Sequence, residues 1–138
     1  MAYTDEEYFL TKIKQSEIDN LIRDDAGEAQ EANLTSAIAS ADDKINTYLR
    51  SVLKTVPVPD AKVTETIRQC SYDIAMYSLH DRIQYTDVPD RIVRKYDDAI
   101  AWLKDVARGV VDLGFTEEEE NSGVTYFTSG AIFTRNSF

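Results

Sequence analysis

Four places in the chain carry residue types that could do chemistry. Asp19, Asp24 and Asp25 stand ahead of Gly27, Glu28 and Glu31, an oxygen-rich stretch around a glycine such as a calcium loop uses. An EF-hand loop needs ligands at alternating positions, a central glycine and a glutamate at the twelfth place. Here the acids form an adjacent pair and the glutamates fall too early, so the spacing predicts a solvated turn and no metal site. Asp97 and Asp98 are a second acidic pair, but neighbours on a helix diverge by about 100° and do not make a paired-carboxylate acid and base. His80 is the only histidine, without a cysteine or second histidine to complete a ligand set. Near a helix C-terminus it is expected to be stabilised when protonated. Cys70, the only cysteine, cannot bridge within the chain and reads as a small buried hydrophobe.

Phosphate-cradling glycine loops, Cys/His clusters and nucleophile elbows are absent from the sequence. Eight tyrosines are more natural as amphipathic packing and interface residues than as general acids. The expectation is a protein that is not an enzyme and takes no cofactor.

The elements that position these residues are helical. Val63, Ile67, Cys70, Ile74 and Tyr77 recur at steps of four and three, and so do Ile92, Tyr96, Ala99, Leu103, Val106 and Val110. Joined by a short break at Thr86-Asp87-Val88-Pro89, the two patterns predict a helical hairpin from Asp60 to Gly109. Ser71, Ala75 and Ser78 sit beside the first stripe and allow a neighbouring helix to approach closely. The second helix opens on Asp90 and closes on Lys104 and Arg108 before Gly109, as the macrodipole and C-cap rules favour, with an Asp90-Arg94-Asp98 ladder at four-residue spacing. Trp102, the only tryptophan, reads as core with a partner-covering role as the alternative.

Upstream, Thr4 and Glu7 form a capping-box pattern ahead of Tyr8, Leu10 and Ile13, predicting a short first helix. A second short segment starts near Ser16, buries Ile18, Leu21 and Ile22 on one side, and stops at Asp24-Asp25-Ala26-Gly27. From about Asn33, the residues Leu34, Ile38, Ala41, Ile45, Leu49 and Val52 trace a third, long helix widened by Ala37 and Tyr48. Asp42, Asp43, Lys44 and Arg50 are placed on its opposite side. Pro57 and Pro59 then exclude helix interior and make a stiff connector that reverses the chain, and Asp60 is expected to cap the next helix. The fold class is all-α: a small bundle of about four to five helices built on a long hairpin, occupying residues 1–114.

Residues 115–138 change character. Glutamates at 117–120 precede Ser122-Gly123, and Val124, Tyr126, Phe127, Ile132, Phe133 and Phe138 follow with no helical period. This pattern predicts an acidic linker and an extended aromatic arm that orders on a partner. Partner contacts are assigned to Tyr126, Phe127, Ile132, Phe133 and Arg135.

Charge narrows the function further. The formal net charge is -10, with nine acids against three bases in residues 1–33, twelve against eleven in 34–114 and four against one in 115–138. Nonspecific nucleic-acid binding runs on Lys/Arg patches that release counterions, so an acidic chain with no basic cluster along its sequence argues against gripping DNA. No apolar run approaches the roughly 20 residues of a membrane span, and the acidic start lacks the features of a secretory signal. A single cysteine fits folding in a reducing cytoplasm.

Several stretches together resemble a family of small proteins from Mu-like phages and prophages. They are Asp43-Lys44-Ile45-Asn46-Thr47-Tyr48-Leu49, the Val56-Pro57 connector, Cys70-Ser71-Tyr72-Asp73-Ile74-Ala75-Met76-Tyr77-Ser78-Leu79, Tyr96-Asp97-Asp98-Ala99-Ile100-Ala101-Trp102-Leu103, and Gly109-Val110-Val111-Asp112-Leu113-Gly114. The Ile132-Phe133-Thr134-Arg135-Asn136-Ser137-Phe138 ending is similar to that family's aromatic-Arg-polar close, whereas the 117–120 acidic run departs from the family pattern. The family's genes lie between those for capsid and tail, and it is similar to helical head-tail connectors of long-tailed phages. The resemblance therefore implies a neck adaptor that docks as a homo-oligomeric ring between the portal protein and tail-side neck proteins. It would be made in the host cytoplasm and carried into the virion, without sequence-specific nucleic-acid binding. The residues alone leave a second class open: an acidic module that regulates a partner by occluding its surface.

Overall fold

A computed structural model describes residues 3–83, 87–111 and 113. Five α-helices run in the order α1 (Glu6–Leu10), α2 (Gln15–Leu21), α3 (Glu31–Leu49), α4 (Glu65–Asp81) and α5 (Asp90–Ala107), with a 3-10 turn at Asp60–Lys62 before α4. The fold is an all-α bundle. Its centre is α3, α4 and α5, each touching the other two, so the α4–α5 hairpin is completed by α3.

The apolar stripes meet, with Val63 before α4, Tyr77 and Tyr96 only half-buried and Leu79 in the core. Leu34, Ile38, Ala41, Ile45 and Leu49 of α3, Ile67, Cys70, Ile74 and Leu79 of α4, and Ile92, Ala99, Leu103 and Val106 of α5 are all buried. Each fully buried Leu or Ile contributes about 1.5–3 kcal/mol from apolar surface removed from water. Ala75 and Ser71 on α4 are fully enclosed, consistent with close helix approach.

Several local expectations need correction. The first helix is capped by Asp5, whose Oδ1 accepts from the Tyr8 amide at 2.9 Å, while Thr4 is buried. Its core residue is Phe9; Leu10 is 45% exposed. A five-residue helix presents little periodicity, which is why the sequence pattern selects Leu10 and passes over Phe9. Helix α2 begins at Gln15 with no side-chain cap. Helix α3 ends at Leu49, leaving Val52 exposed. Asp60 caps nothing in α4: that helix starts after Thr64, whose hydroxyl accepts from the Ile67 amide. Thr64 serves as the N-cap because its backbone is extended and its hydroxyl reaches the Ile67 amide three residues on.

Helix α5 stops at Ala107 through a Schellman closure. Gly109, at φ +77, donates its amide to Val106, and Val110 donates to Asp105 at 2.9 Å. The reversal carries Val110 off the stripe to 70% exposure. The Asp90-Arg94-Asp98 ladder closes no ion pair; the pair this helix does form is Arg108 with Asp105, 2.7 Å apart at its C-terminus.

The N-terminal helices belong to the bundle. Tyr3, Phe9, Ile18, Leu21 and Ile22 are buried in its core. Arg82 at the end of α4 donates Nη2 to the Leu21 and Arg23 carbonyls at 2.5 and 2.9 Å, satisfying acceptors that the end of α2 leaves free. Asn33 donates Nδ2 to the Ile22 carbonyl. The Asp24 turn is built from its own backbone: Asp24 Oδ1 accepts from the Ala26 and Glu28 amides at 2.9 Å each, Oδ2 accepts from Gln30, and Gly27 supplies φ +85. These bonds, Glu28 first, hold the Asp24 carboxyl below its ordinary pKa.

Candidate docking surface

Tyr126, Phe127, Ile132, Phe133 and Arg135, the contacts assigned from sequence, lie outside the described residues. So does the boundary between bundle and arm near 114. Within the described residues lie, among other hollows, one buried polar node and two grooves that share a wall on α4.

The node sits where the N-terminal segment meets α3 and α4. Asp42, 9% exposed, accepts from the Tyr3 amide through both carboxylate oxygens at 3.2 Å and from Ser71 Oγ at 3.0 Å. The sequence places Asp42 on the solvent side of α3. The fold instead turns it toward Ser71, because the N-terminal segment crosses that side and brings an amide that needs an acceptor. The Tyr3 hydroxyl donates to Asn46 Oδ1 and accepts from the Val58 amide at 2.8 Å, so one side chain ties the start of the chain to α3 and to the proline connector. Burial raises the Asp42 carboxyl above its ordinary value, against the lowering effect of the Ser71 and Tyr3 bonds. Buried carboxylates of this kind hold a packing arrangement in place.

The first groove, about 390 Å³, lies between the first half of α4 and the second half of α5. Cys70, Ala99 and Trp102 form its apolar floor, and Glu65, Asp73 and Asp98 stand around it with no cation among its lining residues. Trp102 is half-buried, so its ring serves both core and surface. The Cys70 thiol is pushed up to about 12, chiefly by burial, which keeps it in the unreactive thiol form. Tyr8 fixes one edge by donating its hydroxyl to Glu65 Oε2 at 2.6 Å.

The second groove, about 330 Å³, lies across the Gln69–Asp73 ridge, under the end of α1. Lys12, Arg91 and Lys95 line it over a floor of Ile13, Met76 and Ile92. Asp73, raised mainly by burial, feels Lys95 and Lys12 as opposing influences, which places both ammonium groups near it. Arg91 also acts on His80, whose pKa is lowered first by burial and then by this guanidinium. The expectation of a proton-stabilised histidine therefore fails: desolvation and a neighbouring cation outweigh the helix terminus. Sequence scanning sees no basic cluster because these three residues are 79 to 83 positions apart or on different turns of a helix. Their one legible sign is that Arg91 and Lys95 share an i,i+4 face.

The N-terminal end of the molecule is acidic in a different way. Gln15 Nε2 bridges Glu6 and Asp19 at 3.4 and 3.0 Å, and Glu31 is raised above its ordinary value chiefly by Glu6. Groups of three or more His, Cys, Asp or Glu side chains suited to a metal do not occur among the described residues. No described helix is long and apolar enough to cross a membrane.

The family described as "Bacteriophage Mu, Gp36" matches residues 3–127, which includes the acidic run at 117–120 and stops short of Ile132, Phe133 and Arg135. A relative named "Mu-like prophage FluMu protein gp36", from Haemophilus influenzae, is 32% identical over 121 residues, covering 82% of this chain and 78% of the relative. The chain belongs to the bacteriophage Mu Gp36 family.

Proposed function

We propose that this phage protein is a head-tail connector that joins virions as an oligomeric ring between portal and tail. The reading draws on the membership in a Mu phage family and on the resemblance to helical neck adaptors. The observation that carries it is the crowding of exposed carboxylates at one end of the bundle. Asp5 and Glu31 are exposed there beside Glu6, and the proton affinity of Glu31 is raised first by Glu6, with Asp19 adding to it. A ring through which DNA threads needs an inner surface that repels phosphate, and carboxylates placed around a symmetric channel supply one.

The arm residues Tyr126, Phe127, Ile132, Phe133 and Arg135 are proposed as contacts to the portal or to neighbouring subunits. The bundle provides the rigid body and the arm provides the attachment, a division suited to subunits that assemble only on a symmetric template. Truncating the chain after Gly114 tests this division. The shortened protein is expected to keep its helical circular dichroism and lose incorporation into particles; loss of the helical signal would make the arm part of the core. A tight one-to-one complex with a non-virion protein, and no particle incorporation of the full chain, would favour the regulatory module instead.

A further inference from the structure

The basic groove between α1, α4 and α5 is out of keeping with the charge of this chain. Lys12, Arg91 and Lys95 are all exposed, and none is engaged in an ion pair among the described residues. Asp73 opposes them from within the groove, and Glu17 and Asp98 act on its Tyr72 and Asp73 from outside it. Their floor of Ile13, Met76 and Ile92 is apolar, so the site is built for a segment that carries an apolar anchor together with several negative charges. One segment of this chain has that composition: Phe115 followed, after Thr116, by four consecutive glutamates at 117–120.

We propose that the Phe115-to-Glu120 segment of a second copy docks in this groove, Phe115 on the apolar floor and the glutamates against Lys12, Arg91 and Lys95. Charge complementarity selects the segment. Chain reach selects the neighbour. The groove lies toward the start of α5, and the helix rises about 22 Å from Ile92 to Ala107. Beyond Leu113 a fully extended chain spans about 14 Å to Glu117 and about 25 Å to Glu120. Phe115 stands only two residues, about 7 Å of extended chain, beyond Leu113, which is buried and is not among the groove's lining residues, whereas a neighbour's segment is under no such limit. Because donor segment and acceptor groove are different surfaces, the contact is head-to-tail, the kind that closes into a ring. The ring geometry rests on the connector reading; the contact itself does not.

Sedimentation of the purified full-length protein tests the proposal. Wild type is expected to associate in a concentration-dependent way, with an association constant falling about tenfold or more between low and high salt, as screened multiple charge pairs require. K12E/R91E/K95E and E117K/E118K/E119K/E120K should each be monomeric with unchanged helical circular dichroism, and an equimolar mixture of the two should associate again. If the reversals disturb folding, the Gln versions of the same positions give the same test without the mixing arm. A wild type that remains monomeric up to about millimolar concentration, association indifferent to the reversals, or a mixture that stays monomeric would each overturn it. Charge-dependent association of a protein that never enters virions would retain this contact and sink the connector reading; virion incorporation unaffected by the reversals would do the opposite.

Discussion

Replacing Asp42 by alanine should destabilise the protein by about 2–3 kcal/mol. The carboxylate satisfies two donors, the Tyr3 amide and Ser71 Oγ, on residues that are 1% and 0% exposed. Leaving each unsatisfied costs about 1–3 kcal/mol. Two effects reduce the sum: the variant no longer holds a desolvated carboxyl, and Ser71 can turn its hydroxyl back to a carbonyl one turn earlier in α4. For a chain of this length the expected loss corresponds to a melting temperature lower by roughly 6–15 °C. Urea unfolding at pH 7, followed by far-UV circular dichroism, reads it, with the denaturant slope unchanged. Asp42→Asn keeps one acceptor oxygen and should lose less. The pH dependence gives a second reading of the same group. Because the native carboxyl titrates above its ordinary 3.8, the folded state holds the proton more tightly than the unfolded one. Wild-type stability relative to Asp42→Asn should therefore rise as pH falls through the raised native value toward 3.8, and the gain should be complete below it. A D42A variant within 0.5 kcal/mol of wild type would refute the idea that this carboxylate pins the N-terminal segment, and a wild type that loses ground to D42N on acidification would refute the direction of the shift.

Gly109→Ala should cost about 1 kcal/mol, because φ +77 strains any L side chain although nothing lies within 4 Å of the added methyl; calorimetry would show it, and Gly109→Asn should cost less. His80 is held below 6.5 in the folded state, so the unfolded chain binds its proton more readily and stability should fall as pH drops from 6.5 through the lowered value. His80→Gln should remove that part of the pH slope, and an unchanged slope would place its cause elsewhere. Leu103→Ala, at a fully buried site between the long helices, should lose about 2–5 kcal/mol in urea unfolding, whereas Val110→Ser at the exposed turn should stay within about 0.5 kcal/mol.

The long helices were legible in the sequence because burial on one face leaves a 3.6-residue period, and α3, α4 and α5 each run 17 to 19 residues, long enough for the period to repeat. Legibility ends where a residue's role depends on a distant segment. Asp42 falls on the polar side of a correct helical wheel, and nothing local says that Tyr3 will cross that side. Phe9 and Leu10 are indistinguishable in a single turn of helix. The start of α4 was misplaced because Asp60 and Thr64 are both good caps, and the choice depends on where the proline connector lets the backbone straighten. The candidate surfaces follow the same rule. Trp102 could be singled out by type, and its half-buried position does not choose between the two roles the sequence allowed. The Lys12, Arg91 and Lys95 groove could not be found, since it exists only once the Lys12-Ile13 segment after α1 lies beside α4 and α5.

The central claim, that this Gp36-family chain is a neck component, is tested most directly by imaging and mass determination of the full-length protein alone and mixed with the portal protein of the same phage. The account predicts rings, or a collar of many copies seated on the portal. A protein that stays monomeric and indifferent to the portal at every ratio would contradict it.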